Sequence, residues 1–264
     1  YIPGTGGESA ALAEALRAEP ARCAGLRFVG IWLPGVNRID YAGLHPAARA
    51  SGFFVAPEYR GSFEAGRFAL HPIPYSAIPA WLGAQGIDIA FLQLSPPDAN
   101  GMCSVGTTAD FTSIAAQASK VKVGLVNPRL PRGRGPSVAY DSLDAVVNLD
   151  APLHEVRAGA ADDAATRVIA TEVARWVRDG DTIEIGLGAL PTAILRAIAG
   201  RRALRFFSGM ISEPVGKLIE AGAVADDADA VIAGVAFGDN AFIHRIAGDR
   251  RVRFATVAET HNIV

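Results

Sequence analysis

An α/β fold in two units is what this sequence predicts, and three observations predict it. Short apolar runs of strand length alternate with segments of helical apolar spacing along the chain. The alternation breaks once, at residues 151–164 (APLHEVRAGAADDA), which are small, charged and aperiodic. Half of the 264 residues are hydrophobic and only 20% are charged, so the chain can bury a core on each side of that break. Residues 1–150 are therefore read as one unit and residues 165–264 as a second.

Each element follows from its local pattern. Residues 10–17 (AALAEALR) have helical spacing, with Glu8 and Ser9 as candidates for the cap. Residues 26–33 (LRFVGIWL) and 53–56 (FFVA) read as strands. Residues 74–83 give a turn and a short helix that stops before Gly86. Residues 87–94 (IDIAFLQL) are a strong strand, followed by a helix near 111–118 and strands at 121–126 and 145–149. After the break come a helix at 168–177, a turn at Asp179-Gly180-Asp181 and a strand at 182–185. A glycine turn at 186–191 leads into a helix at 192–199, then a strand at 204–207 and a helix at 215–221. Strands at 230–235 and 252–257 flank a last helix at 242–247.

Composition excludes several classes. A net charge of −2 gives no reason to expect nucleic acid or an anionic membrane surface as partner. No apolar run reaches the roughly 18 residues a membrane helix needs. Cys23 and Cys103 lie far apart with no Cys-x-x-Cys and no histidine nearby, which speaks against a metal site and suits a reducing, cytoplasmic setting. Nothing at the start resembles a signal peptide. The first residue is Tyr1, so either a segment was removed or the sequence begins inside a longer protein. The basic stretch Arg129, Arg132 and Arg134 is interrupted by Pro and Gly. It reads as a solvated loop, with a phosphate contact as the alternative.

Three loops could carry chemistry. Ile185-Gly186-Leu187-Gly188-Ala189 sits between a strand and a helix, where backbone N–H groups and the positive helix end suit a phosphate or an oxyanion. Pro191 stands where a dinucleotide fingerprint would need its third glycine, which argues against NAD. Ser95-Pro96-Pro97-Asp98 closes a strand with a rigid turn, the kind of place where parallel sheets bind ligands. Cys103, just after it, has no adjacent base. Ser208-Gly209-Met210-Ile211-Ser212-Glu213 follows another strand and offers one carboxylate, Glu213, which could equally serve a helix N-terminus. The histidines His45, His71, His154, His244 and His261 show no metal spacing and no local Ser or Asp partner, and read as ordinary surface or core residues.

Taken in order, FLQLSPPD (91–98), GMCSVG (101–106), ADF (109–111), Val126-Asn127, DGDT (179–182), GLGALP (186–191), SGMIS (208–212) and LIEAG (218–222) resemble the acetyl-CoA hydrolase/transferase family. That family includes the acetate, butyrate and 4-hydroxybutyrate CoA-transferases. The resemblance runs from about Gly4 to the end and implies two related CoA-transferase-like α/β units, the second incomplete. It implies an N-terminal piece and a C-terminal segment that this chain lacks. It also implies coenzyme A thioesters as substrates with no tightly bound cofactor, a carboxylate acceptor or water as the second reactant, and a homodimer or higher oligomer.

The resemblance also brings a mechanism. In the transferases this loop reads like Ser-Glu-Met-Ile-Ser-Asp-Gly. Its glutamate attacks the thioester to give a mixed anhydride, and the CoA thiolate returns to form a glutamyl-CoA thioester. That glutamate falls on Gly209, which can do none of this. A subset of relatives carries glycine there too, so another carboxylate or direct attack by water can replace the step. Residues 185–189 match the CoA-binding loop, with the Leu187 N–H as oxyanion donor. Three readings compete: acyl transfer from CoA thioesters to a carboxylate or water, a non-catalytic acyl-CoA binder, and a sugar-phosphate isomerase. Gly209 favours the second, and the two loops together disfavour the third. Glu213, four positions on, is the only acidic residue in the loop and would lie about one helical turn from Gly209 if a helix began there.

Overall fold

The computed structural model describes residues 1–156 and 163–261. They form two compact units. The first holds residues 1–105, 111–130 and 137–154. The second holds 106–110, 131–136 and 155 onward. Two short excursions from the first half of the sequence are thus built into the second unit.

In the first unit, α1 (Ala10–Ala18) opens on Ser9, whose hydroxyl accepts the Leu12 N–H at 3.3 Å. Glu8, the other cap candidate, turns inward instead. The strands β1 (Arg27–Val29), β2 (Arg49–Gly52) and β3 (Phe68–Leu70) make a parallel sheet in that order, with α2 (Arg60–Glu64) leading into β3. The expected strand at 26–33 survives only in its middle, and 53–56 is not a strand. The strand lies just upstream, in Arg49-Ala50-Ser51-Gly52. Ala50 and Gly52 on its inner face are small because aromatic rings fill the space above them: a Cβ on Gly52 would come within 2.8 Å of the Phe68 ring. A strand of this kind carries no hydrophobic alternation.

Those rings are the core of this part. Trp32 stacks on Tyr41 and Tyr59 at centroid separations of 5.3 and 5.6 Å, and Tyr59 meets Phe68 at 5.1 Å. Among the described residues, the polar ends of three of them, Trp32 Nε1, Tyr41 OH and Tyr59 OH, have no hydrogen-bond partner within ordinary distance, and neither has Glu8 Oε1; all four atoms are buried. Burial raises the Glu8 pKa to about 7. The Asn37 amide, the Arg38 backbone and the Arg17 charge reverse only part of that rise.

The rest of the unit is a second parallel sheet. After α3 (Ile78–Ala84) come β4 (Ile87–Leu94), β5 (Met102–Ser104), α4 (Thr112–Ala118), β6 (Ser119–Val126), β7 (Ser137–Ala139) and β8 (Ala145–Asn148). The sheet order is β4-β6-β8, with α4 crossing over between its first two strands. The short β5 and β7 pair antiparallel, and neither shows a periodic signal over three residues.

The second unit is singly wound. Its elements are α5 (Ala164–Ala174), β9 (Thr182–Ile183), α6 (Ala189–Ala197), β10 (Arg205–Ser212), α7 (Glu213–Glu220), β11 (Val231–Phe237), α8 (Asn240–Gly248), β12 (Val252–Phe254) and α9 (Val257–Thr260). All four strands are parallel in the order β12-β11-β10-β9, each joined to the next through a helix. Thr108 pairs antiparallel with Val235, with Ala109 N–H on the Gly234 carbonyl at 2.9 Å and Ala236 N–H on the Thr107 carbonyl at 3.0 Å. Residues 106–110 therefore carry on along β11 beyond the stretch that β12 covers. The Arg134 carbonyl accepts the Phe254 N–H at 2.7 Å, which ties the other excursion to β12.

Two expectations need correction here. The strand expected at 204–207 runs to Ser212, so the segment read as a polar loop is sheet, and α7 begins at Glu213. The helix expected at 168–177 starts at Ala164, where Asp163 accepts the Thr166 N–H at 2.7 Å. Of the stretch read as a linker, residues 157–162 lie outside the described residues.

Candidate active site

The middle of β10 organises the site. Ser208 is buried, and its hydroxyl donates to the Ile185 carbonyl at 2.9 Å and accepts the Ile185 N–H at 3.2 Å. One side chain thus replaces the ladder where β9 ends and holds the turn after β9 against β10. Gly186, Leu187 and Gly188 form that turn, and α6 starts at Ala189. Gly188 has φ 125 and ψ −179, a conformation open essentially to glycine alone. The first-turn N–H groups of α6 have no intrahelical partner and, with the helix dipole, face the turn.

Beside the turn lies an open recess of about 340 Å³, lined by Glu184, Ile185, Gly186, Gly209, Met210 and His261. Gly209 lies close against Gly234 of β11, where an added Cβ would come within 2.6 Å of the Gly209 carbonyl. His261 follows α9, which packs on β10 and β11. Its ring covers Gly209: a Cβ at 209 would lie 2.5 Å from Cε1 and 2.9 Å from Nε2. The missing side chain and the imidazole are therefore complementary in shape. His261 Nδ1 sits 3.0 Å from the Thr260 hydroxyl. Burial holds the ring's pKa below the usual histidine value, and the Glu184 charge opposes that shift.

The structure gathers Ile185 and Gly186 with Gly209 around one recess, with Leu187, Gly188 and Ala189 continuing into the helix start. Glu213 is not among the lining residues. Because β10 continues to Ser212, four residues of extended chain, about 13 Å, separate it from Gly209. Its carboxylate pairs with Lys217 at 3.2 Å, one turn along α7. In the first unit, Asp98 accepts the N–H groups of Asn100 and Met102, both at 2.9 Å, so the Ser95–Asp98 turn is tied to β5. Pro96 and Pro97 there border a cavity of about 420 Å³ at the carboxyl ends of β4, β6 and β8. Cys103 is fully buried in β5. Arg129 pairs with Asp150 at 2.5 Å and Arg134 with Asp229 at 2.9 Å, so both already hold carboxylates.

The sequence placed Ser208 in a candidate loop without a role, read His261 as an ordinary histidine and gave no sign of Glu184. A single serine inside a Gly-rich run gives no sign that its hydroxyl serves another segment's backbone. A histidine after a four-residue helix gives none that it lands on a glycine in another strand.

The chain is 30% identical over 221 residues to the 4-hydroxybutyrate coenzyme A transferase of Clostridium kluyveri, covering 83% of this chain and 51% of that protein. It thus spans about half the length of that relative. Among solved structures, RipA from Yersinia pestis superposes with a TM-score of 0.86 at 22% identity, over 99% of this chain and 65% of that one. The 4-hydroxybutyrate CoA-transferase from Porphyromonas gingivalis does so with a TM-score of 0.73 at 22% identity, over 95% and 67%. At these identities the structural likeness is one of fold. No family model matches the chain.

Proposed function

Because the chain belongs to the CoA-transferase family, we propose that it binds a small acyl-CoA and cleaves its thioester, passing CoA to a carboxylate or the acyl group to water. The observation that supports this most is the strand-turn-helix at 185–189, held by Ser208 against β10 beside position 209. In this reading the thioester lies against Gly186 to Ala189, with backbone N–H groups and the helix dipole meeting the oxyanion. A cytoplasmic setting and a homodimer or higher oligomer go with it.

One observation favours a second reading, a non-catalytic acyl-CoA binder. Position 209 has no side chain, and the His261 ring stands where one would begin. Thiol release from acetyl-CoA, with and without added carboxylate, separates the two. Release that depends on carboxylate marks a transferase, and release without it marks a hydrolase. CoA binding with no release marks the binder, and no binding at all would refute the reading of the site. Glu213→Gln belongs in the same assay: full activity assigns that carboxylate to the start of α7, and loss of release assigns it to the chemistry.

A further inference from the structure

We propose that His261 is the general base of a direct thioester hydrolysis in this recess, activating water where position 209 supplies no carboxylate. The proposal rests on the acyl-CoA reading of the site and names the group that would act in it.

Geometry carries the argument. The ring occupies the volume that a side chain at 209 would need, with Nε2 2.9 Å from the place of its Cβ, so a basic nitrogen stands over the bare backbone of Gly209. The Thr260 hydroxyl lies 3.3 Å from the Thr256 carbonyl and 3.0 Å from His261 Nδ1. A hydroxyl has one proton to give. Given to the Thr256 carbonyl, it leaves the Thr260 oxygen to accept Nδ1–H. In that arrangement Nε2 carries the lone pair. Thr260 is thus a positioning residue and His261 the catalytic one.

The surroundings suit a base at neutral pH. Burial lowers the ring's pKa and so favours its neutral form, and Glu184, which follows β9, is the carboxylate that would stabilise the imidazolium once it forms. On the ring's own helix, Glu259 is turned away to Arg253 at 2.5 Å. The strands under α9 present no titratable side chain beneath it: β11 has none, and the only one on β10, Arg205, stands at its far end, paired with Asp227. The buried Asp110, whose backbone carbonyl accepts the Val257 N–H at 3.0 Å, lies beside Gly234.

The step balances. Water oxygen bonds to the thioester carbonyl carbon while one of its protons passes to His261 Nε2. The tetrahedral intermediate then expels sulfur, the imidazolium returns the proton to the thiolate, and CoA leaves as the thiol. The carboxylic acid formed loses its remaining proton to solvent.

The test uses the full-length gene product with acetyl-CoA, and compares wild type with His261→Gln, His261→Asn, Thr260→Val and Thr260→Ser. Thiol release is followed across pH 4.5–9, CoA affinity by calorimetry, and any enzyme-bound CoA thioester by borohydride trapping and mass spectrometry. Expected in wild type is a kcat/KM that falls about tenfold per pH unit on the acid side of the His261 pKa, with no trapped thioester. The His261 variants should lose about 10²- to 10⁴-fold in kcat and lose the acid limb, while binding CoA as wild type does. Thr260→Val should lower kcat and move the limb, and Thr260→Ser should restore both. An unchanged rate and pH profile in both His261 variants overturns the proposal, as does a trapped enzyme thioester or a wild type that binds CoA without cleaving it. Absence of CoA binding by wild type overturns the acyl-CoA reading itself.

Discussion

Replacing Gly188 with valine is expected to abolish CoA binding, with an affinity loss of at least about 100-fold, or about 2.7 kcal/mol. Two effects add. At φ 125 and ψ −179 an L side chain is strained by about 1–3 kcal/mol, and a β-branched one more than most. The chain relieves that strain by rotating the backbone just ahead of α6. This turns the N–H groups of the turn and of Ala189 away from the place a phosphate or oxyanion would occupy. No neighbour blocks the new side chain, since the nearest atom to an added Cβ is Pro191 Cδ at 3.8 Å. The effect is therefore conformational, and Gly188→Ala should fall between the two. Calorimetry with CoA reads it, and thermal unfolding confirms that the variant is folded. Wild-type affinity in Gly188→Val would remove the turn from the binding site.

The second large effect concerns stability. The first unit should lose about 3 kcal/mol as pH rises from 4.5 to 7, through Glu8 alone. The sign follows from the direction of its shift. The folded-state pKa, about 7, lies above the unfolded value near 4.5, so within that window the folded state holds a proton that the unfolded state has released. Stability from this group is complete below the unfolded pKa and is lost as pH passes the folded one. Ionised Glu8 would sit buried near Tyr41 and Tyr59, with Oε1 lacking a hydrogen-bond partner among the described residues. Glu8→Gln keeps the shape and removes the titration. Denaturant unfolding of both proteins at pH 5 and pH 8 should show the variant more stable at pH 8, with the gap closing at pH 5. A constant difference between the two across that range would place the Glu8 carboxyl in contact with water.

What the sequence disclosed depended on where the physical signal lies. The bounds of β4 are those its apolar run predicts, and α1 starts where Ser9 predicts. A long buried strand and a capped amphipathic helix both write themselves into local composition. β2 did not, because Ala50 and Gly52 are small to make room for Phe68 and Trp32, and that reason lies in other segments. β10 was read short because Ser208 and Gly209 look like loop residues. They are strand residues whose polarity and bareness serve Ile185 and His261. In the site, the glycine turn was legible from its place between a strand and a helix. The imidazole over Gly209 was not, since no local pattern joins two residues so far apart in the chain.

The interleaving of the two units bears on how the protein comes into being. The chain passes between them at 105/106, 110/111, 130/131, 136/137 and 154/155. During synthesis, residues 106–110 and 131–136 emerge long before the strands they belong to. The first unit can close its own sheets early, but it must carry both segments unhoused until β11 and β12 appear. A piece beginning at Glu155 faces the opposite problem. Without residues 107–109, the edge of β11 along 234–236 has bare N–H and C=O groups, which invite pairing with another chain. A gene cut at the break in the strand-helix alternation would therefore give two products, each with an open seam.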